Sequence, residues 1–576
     1  MESEIILGYS DCFVVDAPLE IADYLQGISR KDLLKVASMF LARHHESVYD
    51  YFSSYFNAKN NKYINDLWND LSKRRHDLNK CIITNTQSSL RFFEYVYDNI
   101  ECTDTVLKEE EIEVRILKAY LLFNDLIIRN QDKALHSVMK IEDDLKRVKA
   151  FFLTTTFEYY DIVNYTYKNE LSTQIIKANY LYDFLSTQVD LRQLYGEYLK
   201  FFECTGWKEV QKKIIVFAFN YLIKDDKAFL EYMIAQDEHY QEYCNFMNKL
   251  TKKVVVSDFD FCSFRSSPIY NIEEGKYGVI YGYFLLEIIY KGMYFRLKEL
   301  NELLPEGVKK KNFRGYYCDK FSECWLLYQV LETIYGKRYI KMRGQYIKDT
   351  FNVIGEPDYY IRNGNKIFLF ESKDIFVSAG VKVSNDYGEI VTELQKRLYY
   401  EIKDNGRRAN KAIFQLIENI KKLLSGNAEW DQNYKKKSIQ IYPIIVLHDR
   451  MYNCPGMADL VKDWFRDELL KISHDYNIAQ IENITIITID SFILHTNYLQ
   501  NPKNKLEQVI ESYHHYIENS FKGCRNFDEM RNKVFDRLQS FDIYFSEFVD
   551  KSLNYQKLLT SACKELLSER EIEKIP

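Results

Sequence analysis

Residues 351–374 read FNVIGEPDYYIRNGNKIFLFESKD, which predicts two β-strands joined by a tight turn. The Asn-Gly pair at 363–364, set between two apolar runs, is a strong hairpin signal because glycine readily adopts the backbone angles of such a turn. Side chains alternate between the two faces of a strand, so Glu371 and Lys373 point to the same side. Asp358 lies on the partner strand and can reach the same place. The hairpin therefore predicts a cluster of two carboxylates and one ammonium.

This cluster has the composition of a divalent-metal site. Two carboxylates and an ammonium at the end of an apolar strand are costly to bury unless they bind something. Mg²⁺ favours carboxylate oxygens, backbone carbonyls and water, so we expect Asp358, Glu371 and the carbonyl of Ser372 to bind Mg²⁺, with Mn²⁺ as a substitute. The metal would polarise a scissile phosphate and acidify the attacking water, while Lys373 orients that water or stabilises charge. The alternative is a solvated hairpin or a decayed site.

The spacing of these residues resembles that of a known nuclease superfamily. Pro-Asp at 357–358, twelve further residues and Glu-Ser-Lys at 371–373 are similar to the PD-(D/E)xK signature of many restriction and repair endonucleases. The core of that superfamily runs helix, strand, hairpin, helix and strand, which is the order predicted for residues 315–447. The resemblance covers roughly residues 306–500. It implies Mg²⁺-dependent hydrolysis of phosphodiester bonds, endonucleolytic cleavage and 5′-phosphate ends.

The same resemblance implies further site residues. FSECWLLYQVLE (321–332) is similar to the acidic helix of the nuclease domains linked to McrBC-like restriction systems, so Glu323 would be an additional catalytic metal ligand. An ion pair with a lysine one turn earlier is the alternative for this glutamate. NGRRANKAIFQLIENI (405–420) resembles the basic helix that follows the active site in many members. Gln415 would then be the active-site glutamine, with Asn419 in place of the family's tyrosine.

Basic residues are concentrated in one region of a chain that is acidic overall. The net charge is −6, yet Lys and Arg outnumber Asp and Glu in residues 306–348 and 396–437. Such a distribution suits a local surface for binding a polyanion. Arg407, Arg408 and Lys411 fall on one side of a predicted helix, where we expect them to bind nucleic-acid phosphates. A solvated helix face is the other interpretation of these three residues.

The rest of the chain divides into helical and mixed segments. Proline is nearly absent and glycine rare in residues 1–253, so we expect an all-α region there, used for sensing, partner binding or oligomerisation. Residues 254–305 are expected to connect it to a nuclease domain at 306–500, and residues 501–576 to form C-terminal helices. The predicted fold class is α+β, with an α/β restriction-endonuclease-like core in which helices flank a mixed sheet.

Apolar periodicity predicts the individual elements of that core. A strongly apolar helix is expected at 315–336, ahead of the hairpin, and two helices at 389–403 and 407–424 after it. Buried strands are expected at 439–449 and 483–492, with a helix between them.

Other candidate sites carry weaker signals. Asp258 and Asp260 form a DxD pair on a strand predicted at 254–261, and we interpret them as its exposed face. His448 ends a buried strand and is interpreted as structural. The eleven cysteines include no CxxC pair, and no GxxxxGK[ST] motif occurs. These patterns favour neither a zinc knuckle, a disulfide framework nor a P-loop nucleotidase.

Together these features predict a cytoplasmic DNA endonuclease. The chain starts without the basic and apolar regions of a signal peptide, and no apolar stretch is long enough for a bilayer, so no membrane association is expected. A large helical region fused to such a nuclease is similar in architecture to effectors of bacterial anti-phage defence or restriction systems. This similarity implies a separate NTPase or sensor partner, or a homo-oligomer. The alternatives are an RNA-cleaving nuclease with the same site, and a non-catalytic scaffold that binds nucleic acid or protein.

Overall fold

The chain forms two compact units in a computed structural model. The model describes residues 5–14, 17–43, 45–100, 107–223, 229–251, 260–549, 555–564 and 566–568. One unit comprises Met1–Leu135 and Leu199–Arg296, and the other comprises His136–Tyr198 and Leu297–Ile575. Helices and strands occur in both units, and the larger sheet is mixed, so the α+β fold class is confirmed at that level.

The first unit is mainly helical and contains a parallel pair of strands and a small antiparallel sheet. The strands are β1 (Ile5–Ile6), β2 (Cys81–Ile82), β3 (Glu231–Met233), β4 (Ile269–Glu273) and β5 (Lys276–Val279), with β1 beside β2 and β5 between β3 and β4. The helices are Tyr9–Cys12, Ile21–Leu25, Arg30–Ala42, Val48–Tyr55, Asn61–Arg74, Thr86–Asn99, Trp207–Ile223, Tyr240–Lys249, Cys262–Ser266 and Gly282–Glu287. Helices Glu109–Val138, Arg192–Phe201 and Lys291–Leu303 cross the division between the units.

The short strands correct the prediction that residues 1–253 are all-α. The buried Asn124 accounts for the β1–β2 pair, because its side-chain amide donates to the carbonyl oxygens of Leu7 and Ile83 at 2.7 and 2.9 Å. Helical periodicity in the sequence does not indicate these hydrogen bonds from Asn124. The strand predicted at 254–261, with Asp258, lies outside the described residues except at its last two positions.

The second unit is built on a five-stranded mixed sheet in the order β12-β11-β8-β7-β6. Its strands are β6 (Ile340–Arg343), β7 (Tyr359–Asn363), β8 (Lys366–Lys373), β11 (Gln440–Leu447) and β12 (Thr485–Thr488), and a separate hairpin joins β9 (Tyr400–Ile402) to β10 (Arg408–Asn410). β8 runs antiparallel to β7 and parallel to β11. The predicted hairpin is therefore confirmed as β7–β8, and Gly364 in its turn has the left-handed φ of 61° that favours glycine.

Helices cover both faces of this sheet. The helices of this unit are Asp144–Thr156, Tyr160–Val163, Tyr167–Thr187, Gly344–Phe351, Ala379–Lys382, Tyr387–Leu398, Ala412–Ser425, Met457–Ile472, Ile489–Leu494, Thr496–Gln500, Leu506–Asn519, Phe527–Arg537, Phe541–Val549 and Tyr555–Cys563, together with a helix at residues 313–334. Within the described ranges, no helix combines the length and the apolar character needed to cross a bilayer.

The central strand β8 is buried on both faces. Ile367 and Leu369 lie in a core that includes Leu416 of helix Ala412–Ser425. On the opposite face, Phe370 contacts the ring of Phe492. A strand with parallel and antiparallel neighbours and helices on both sides needs apolar residues at nearly every position, which is why the sequence of β8 shows little polar alternation. Glu371 and Lys373 interrupt this pattern at the carboxyl end of the strand.

The predicted helix at 407–424 is wrong at its start, because the helix begins only at Ala412. Residues Arg408–Asn410 form β10 instead. The Arg408 guanidinium lies 3.8 Å from the ring centre of Phe414 and 4.4 Å from that of Tyr400. These ring contacts and the hydrogen bonds to β9 hold this segment extended. Tyr400–Ile402, from the helix predicted at 389–403, is likewise extended as β9.

The two compact units cut across the predicted domain segments. Residues 136–198, from the region expected to be all-α, belong to the unit with the large sheet, because Leu153 and Phe157 are buried in its core. The C-terminal helices belong to it as well, since the Tyr442 hydroxyl on β11 donates to the Glu511 carboxylate at 2.5 Å. Local sequence patterns do not show these long-range contacts.

Candidate active site

The candidate site lies at the carboxyl end of β8. Tyr359 on β7 pairs with Phe370 on β8. Asp358, the residue just before β7, therefore lies opposite Glu371. The backbone N–H of Ser372 donates to Asp358 Oδ2 at 2.7 Å and fixes that carboxylate against the strand. The hairpin register thus brings together the residues that the sequence predicted.

Lys373 is the centre of this cluster. Its Nζ atom lies 3.1 Å from Glu371 Oε2 and 3.5 Å from Asp358 Oδ2. Burial lowers the pKa of the Lys373 ammonium, but the Asp358 and Glu371 carboxylates outweigh that effect and raise the pKa above its ordinary value. Lys373 therefore stays charged, and its ammonium group forms ion pairs with both carboxylates.

Glu371 is the least satisfied member of the cluster. Its side chain is fully buried, and its Oε1 atom has no hydrogen-bond partner among the described residues. Burial, and then the charge of Asp358, raise the pKa of this carboxyl well above its ordinary value. A buried carboxylate oxygen without a partner is costly, so this atom is a natural place for a bound cation.

Glu323 approaches the cluster from the helix at residues 313–334, hereafter the site helix. The site helix is continuous, as predicted for 315–336, but its middle part, Tyr317–Leu327, is wound as a π-helix. Burial, followed by the nearby charge of Asp358, raises the pKa of Glu323 to about 8. π-Helical segments are rare and often occur at functional sites, because the wider winding changes which side chains share a face.

The site helix also brings two residues that the sequence did not single out close to Glu323. Ligand atoms of Asp319, Glu323 and Cys324 all lie within 4.8 Å of one another. Burial, and then the Glu323 charge, raise the pKa of the Cys324 thiol to about 11. Asp319 and Glu323 are four residues apart and would share one face of a regular α-helix as well. The π-helix, whose bonds run from i to i+5, also brings Cys324 to the side of Asp319.

Asp374 ties the site helix to the end of β8. It accepts hydrogen bonds of 2.6 Å from both Arg314 and Ser322, which belong to the site helix. Burial raises the pKa of Asp374, but the charges of Arg314 and His448 and the hydrogen bonds from Ser322 and Arg314 together outweigh it, so the carboxyl pKa lies below its ordinary value. Asp374 is therefore an ionised anchor that fixes the helix carrying Glu323. Asp374 lies just outside the ExK motif, so the motif does not point to it.

Gly344 allows a close approach at Asp358. The backbone N–H of Gly344 donates to the carbonyl oxygen of Asp358 at 2.8 Å. A Cβ atom at position 344 would lie 2.9 Å from that oxygen and 2.6 Å from the carbonyl oxygen of Pro357. Only glycine fits here without a shift of the backbone that carries Asp358.

The remaining predicted residues lie outside this group of contacts. Gln415 is partly buried on helix Ala412–Ser425, and within the described part of the chain its side chain makes no hydrogen bond to the site. Arg407 and Arg408 are exposed on the β9–β10 hairpin, and Lys411 pairs with Glu401 at 2.9 Å. The three basic residues therefore do not share a helix face, and their binding to phosphate stays a prediction.

Comparison with protein-family models, with curated proteins and with solved structures found no match to this chain. The resemblance to PD-(D/E)xK nucleases therefore stays a prediction. The contacts among Asp358, Glu371 and Lys373 are the observations that bear on function.

Proposed function

We propose that this chain is a metal-dependent nuclease of the PD-(D/E)xK kind that hydrolyses phosphodiester bonds in DNA. The observation that carries the proposal is the convergence of Asp358 and Glu371 on the Lys373 ammonium at the end of a buried strand. The spacing of these residues in the sequence and the register of the hairpin both place them at one site. A solvated hairpin would expose such charges, whereas here Glu371 is fully buried.

The residues present fit a divalent cation such as Mg²⁺ or Mn²⁺. The donor atoms are carboxylate oxygens, which hard cations favour, and one of them, Glu371 Oε1, has no hydrogen bond among the described residues. Asp358 and Glu371 would hold the ion, with the carbonyl of Ser372 and the Glu323 carboxylate as further ligands. The bound ion would polarise the phosphate and lower the pKa of a water molecule.

The chain's own groups prepare the rest of the site. Lys373 holds a positive charge beside the two carboxylates, where it can orient a water molecule or stabilise negative charge on a phosphate. Burial raises the pKa of Glu323 to about 8, so this carboxyl would release its proton on binding the ion. Arg407 and Arg408, exposed in the same unit, would contact the phosphate backbone.

The biological part of the proposal is that this nuclease acts as an effector in anti-phage defence or restriction. The separate, mainly helical first unit supports this idea, since such effectors join a sensing or partner-binding part to a nuclease. A separate NTPase or sensor, or a second copy of the chain, would then control cleavage.

Cleavage of supercoiled plasmid in Mg²⁺ or Mn²⁺ tests the proposal. Lys373→Ala and Glu371→Gln should each lower the cleavage rate at least about a hundredfold, since each removes a group that acts on the phosphate or the ion. Lys366→Ala is the matched control, because Lys366 lies at the other end of β8 and pairs with Glu507 at 3.5 Å. Its rate should stay within about twofold of wild type.

A single-stranded RNA of similar length, treated in parallel, decides between the two nucleic acids. Preferred cleavage of RNA would keep the site and change the substrate. Binding of nucleic acid without cleavage by wild type, in either metal and with every candidate partner added, would overturn the enzyme assignment and favour a scaffold.

A further inference from the structure

Ser372 and Asp374 alternate with Glu371 and Lys373 at the carboxyl end of β8, and their contacts hold this end of the strand from the opposite face. Glu371 and Lys373 share one face, so the side chains of Ser372 and Asp374 leave from the other. Asp374 holds the site helix, as described above. Ser372 has two hydrogen bonds of different kinds, since its backbone N–H binds Asp358 Oδ2 at 2.7 Å and its hydroxyl contacts His448 Nε2 at 2.8 Å.

His448 is the first residue after β11. The parallel register pairs Leu447 with Lys373, which places His448 beside the end of β8. The imidazole is buried, and its Nδ1 atom has no hydrogen bond among the described residues. Burial lowers the pKa of His448 to about 4, against an opposing effect of Asp374. The hydrogen bond between His448 Nε2 and the hydroxyl of Ser372 is therefore the contact that this ring makes at the end of β8.

We propose that His448 is a positioning residue for the metal site, acting through Ser372 on Asp358. The inference rests on the proposed function. The hydrogen bond from His448 fixes the rotamer of Ser372 and the adjacent peptide, and the N–H of that peptide holds the Asp358 carboxylate. Residues that orient metal ligands from behind usually affect metal affinity strongly although they never touch the ion. His448 is therefore more than the structural strand end that its sequence position indicates.

A second histidine of the same unit offers a matched control. The Nε2 atom of His514 contacts the hydroxyl of Thr485 at 2.9 Å, and this side chain is also buried. Burial lowers the pKa of His514 to about 3. Thr485 lies on β12, which β11 separates from β8. The two histidines make the same kind of contact to a strand hydroxyl, but only that of His448 leads to Asp358.

Calorimetric titration of the full chain with Mn²⁺, without nucleic acid, measures the effect directly. His448→Leu removes the hydrogen bond and fills the space of the ring with an apolar side chain. Ser372→Ala removes the same bond by deleting the hydroxyl. Each should weaken Mn²⁺ binding by about ten- to a hundredfold. The double variant should be no weaker than the worse single one, because both changes break one bond.

His448→Gln should restore affinity to within about threefold of wild type, since its amide can reach the Nε2 position and bond to Ser372. His514→Leu should lower the unfolding temperature to a similar degree as His448→Leu and leave Mn²⁺ affinity within about twofold of wild type. Plasmid cleavage at rising Mn²⁺ should show a higher half-saturating metal concentration for His448→Leu and a nearly unchanged maximal rate.

Three results would overturn the inference. The first is that His448→Leu binds Mn²⁺ as tightly as wild type. The second is that His514→Leu loses as much Mn²⁺ affinity as His448→Leu, which would attribute the loss in both variants to general destabilisation. If His448→Leu does not fold, unchanged affinity in Ser372→Ala is decisive in the same way. Absence of Mn²⁺ binding and of cleavage in wild type would instead remove the proposed function itself, which distinguishes that failure from the first.

Discussion

Replacing Glu371 with glutamine is expected to stabilise the metal-free protein. Glu371 is fully buried, its Oε1 atom has no hydrogen bond within the described residues, and it shares the Lys373 ammonium with Asp358. Burial, and then Asp358, raise the pKa of Glu371 well above the ordinary 4.5. Because the folded pKa is raised, the folded chain disfavours the charged form that the unfolded chain adopts at neutral pH. Glutamine has nearly the same shape and carries no charge.

The size of the gain follows from this linkage. Each unit by which folding raises a carboxyl pKa costs about 1.4 kcal/mol of stability at pH values above the raised pKa, and glutamine removes that cost. Since the folded pKa is raised, the stability from this group is present below pH 4.5 and is lost as the pH rises. The gain from glutamine should be near zero at that pH and increase towards neutrality.

Urea unfolding of wild type and Glu371→Gln, without metal and at several pH values between about 5 and 8, measures this gain. Added Mg²⁺ should stabilise wild type and leave the variant nearly unchanged. Asp431→Asn is the control, because Asp431 is a buried carboxylate that accepts hydrogen bonds from Arg362 and Tyr360. It should lose about 3 kcal/mol at neutral pH, since Arg362 is left unpaired. A Glu371→Gln variant less stable than wild type at pH 7 would contradict this expectation.

Three further perturbations test the surroundings of the site. Arg314→Ala should lower the free energy of unfolding by about 3 kcal/mol, because it leaves the buried Asp374 carboxylate without its cation, and urea unfolding measures the loss. Gly344→Ala should lower plasmid cleavage at least about tenfold at saturating Mg²⁺, because the added Cβ would lie 2.9 Å from the carbonyl oxygen of Asp358. His514→Gln should make the protein less sensitive to acid. Burial lowers the pKa of His514 to about 3, so wild type loses about 2 kcal/mol between pH 6.5 and 5 from this group, and the variant should lack that loss in thermal unfolding.

The hairpin and its three charged residues were accessible to sequence reasoning because every signal was local. Gly364 marks the turn, and strand alternation places Glu371 and Lys373 on one face. The register of an antiparallel hairpin then fixes Asp358 opposite Glu371. Elements whose pattern is continuous, such as the buried strand β11, were also found by their apolar run.

The parts that the sequence did not reveal depend on contacts distant in the chain. Residues 408–410 are extended because Arg408 stacks on two rings and the segment pairs with β9, and neither contact has a periodic signature. Ser372 and His448 meet only through the parallel pairing of β8 with β11. The π-helical winding that brings Cys324 beside Asp319 likewise leaves no trace in apolar periodicity.

The parallel pairing of β8 with β11 also determines when the proposed metal site can be completed during folding. The β7–β8 hairpin can close early, since its strands are joined by a short turn and hairpins form within microseconds. Ser372 and His448 are 76 positions apart, and closing so long a loop is slow. During refolding, metal binding should therefore recover after the bulk of the helical signal. A fragment that ends before β11 would leave β8 as an open apolar edge, which favours aggregation over activity.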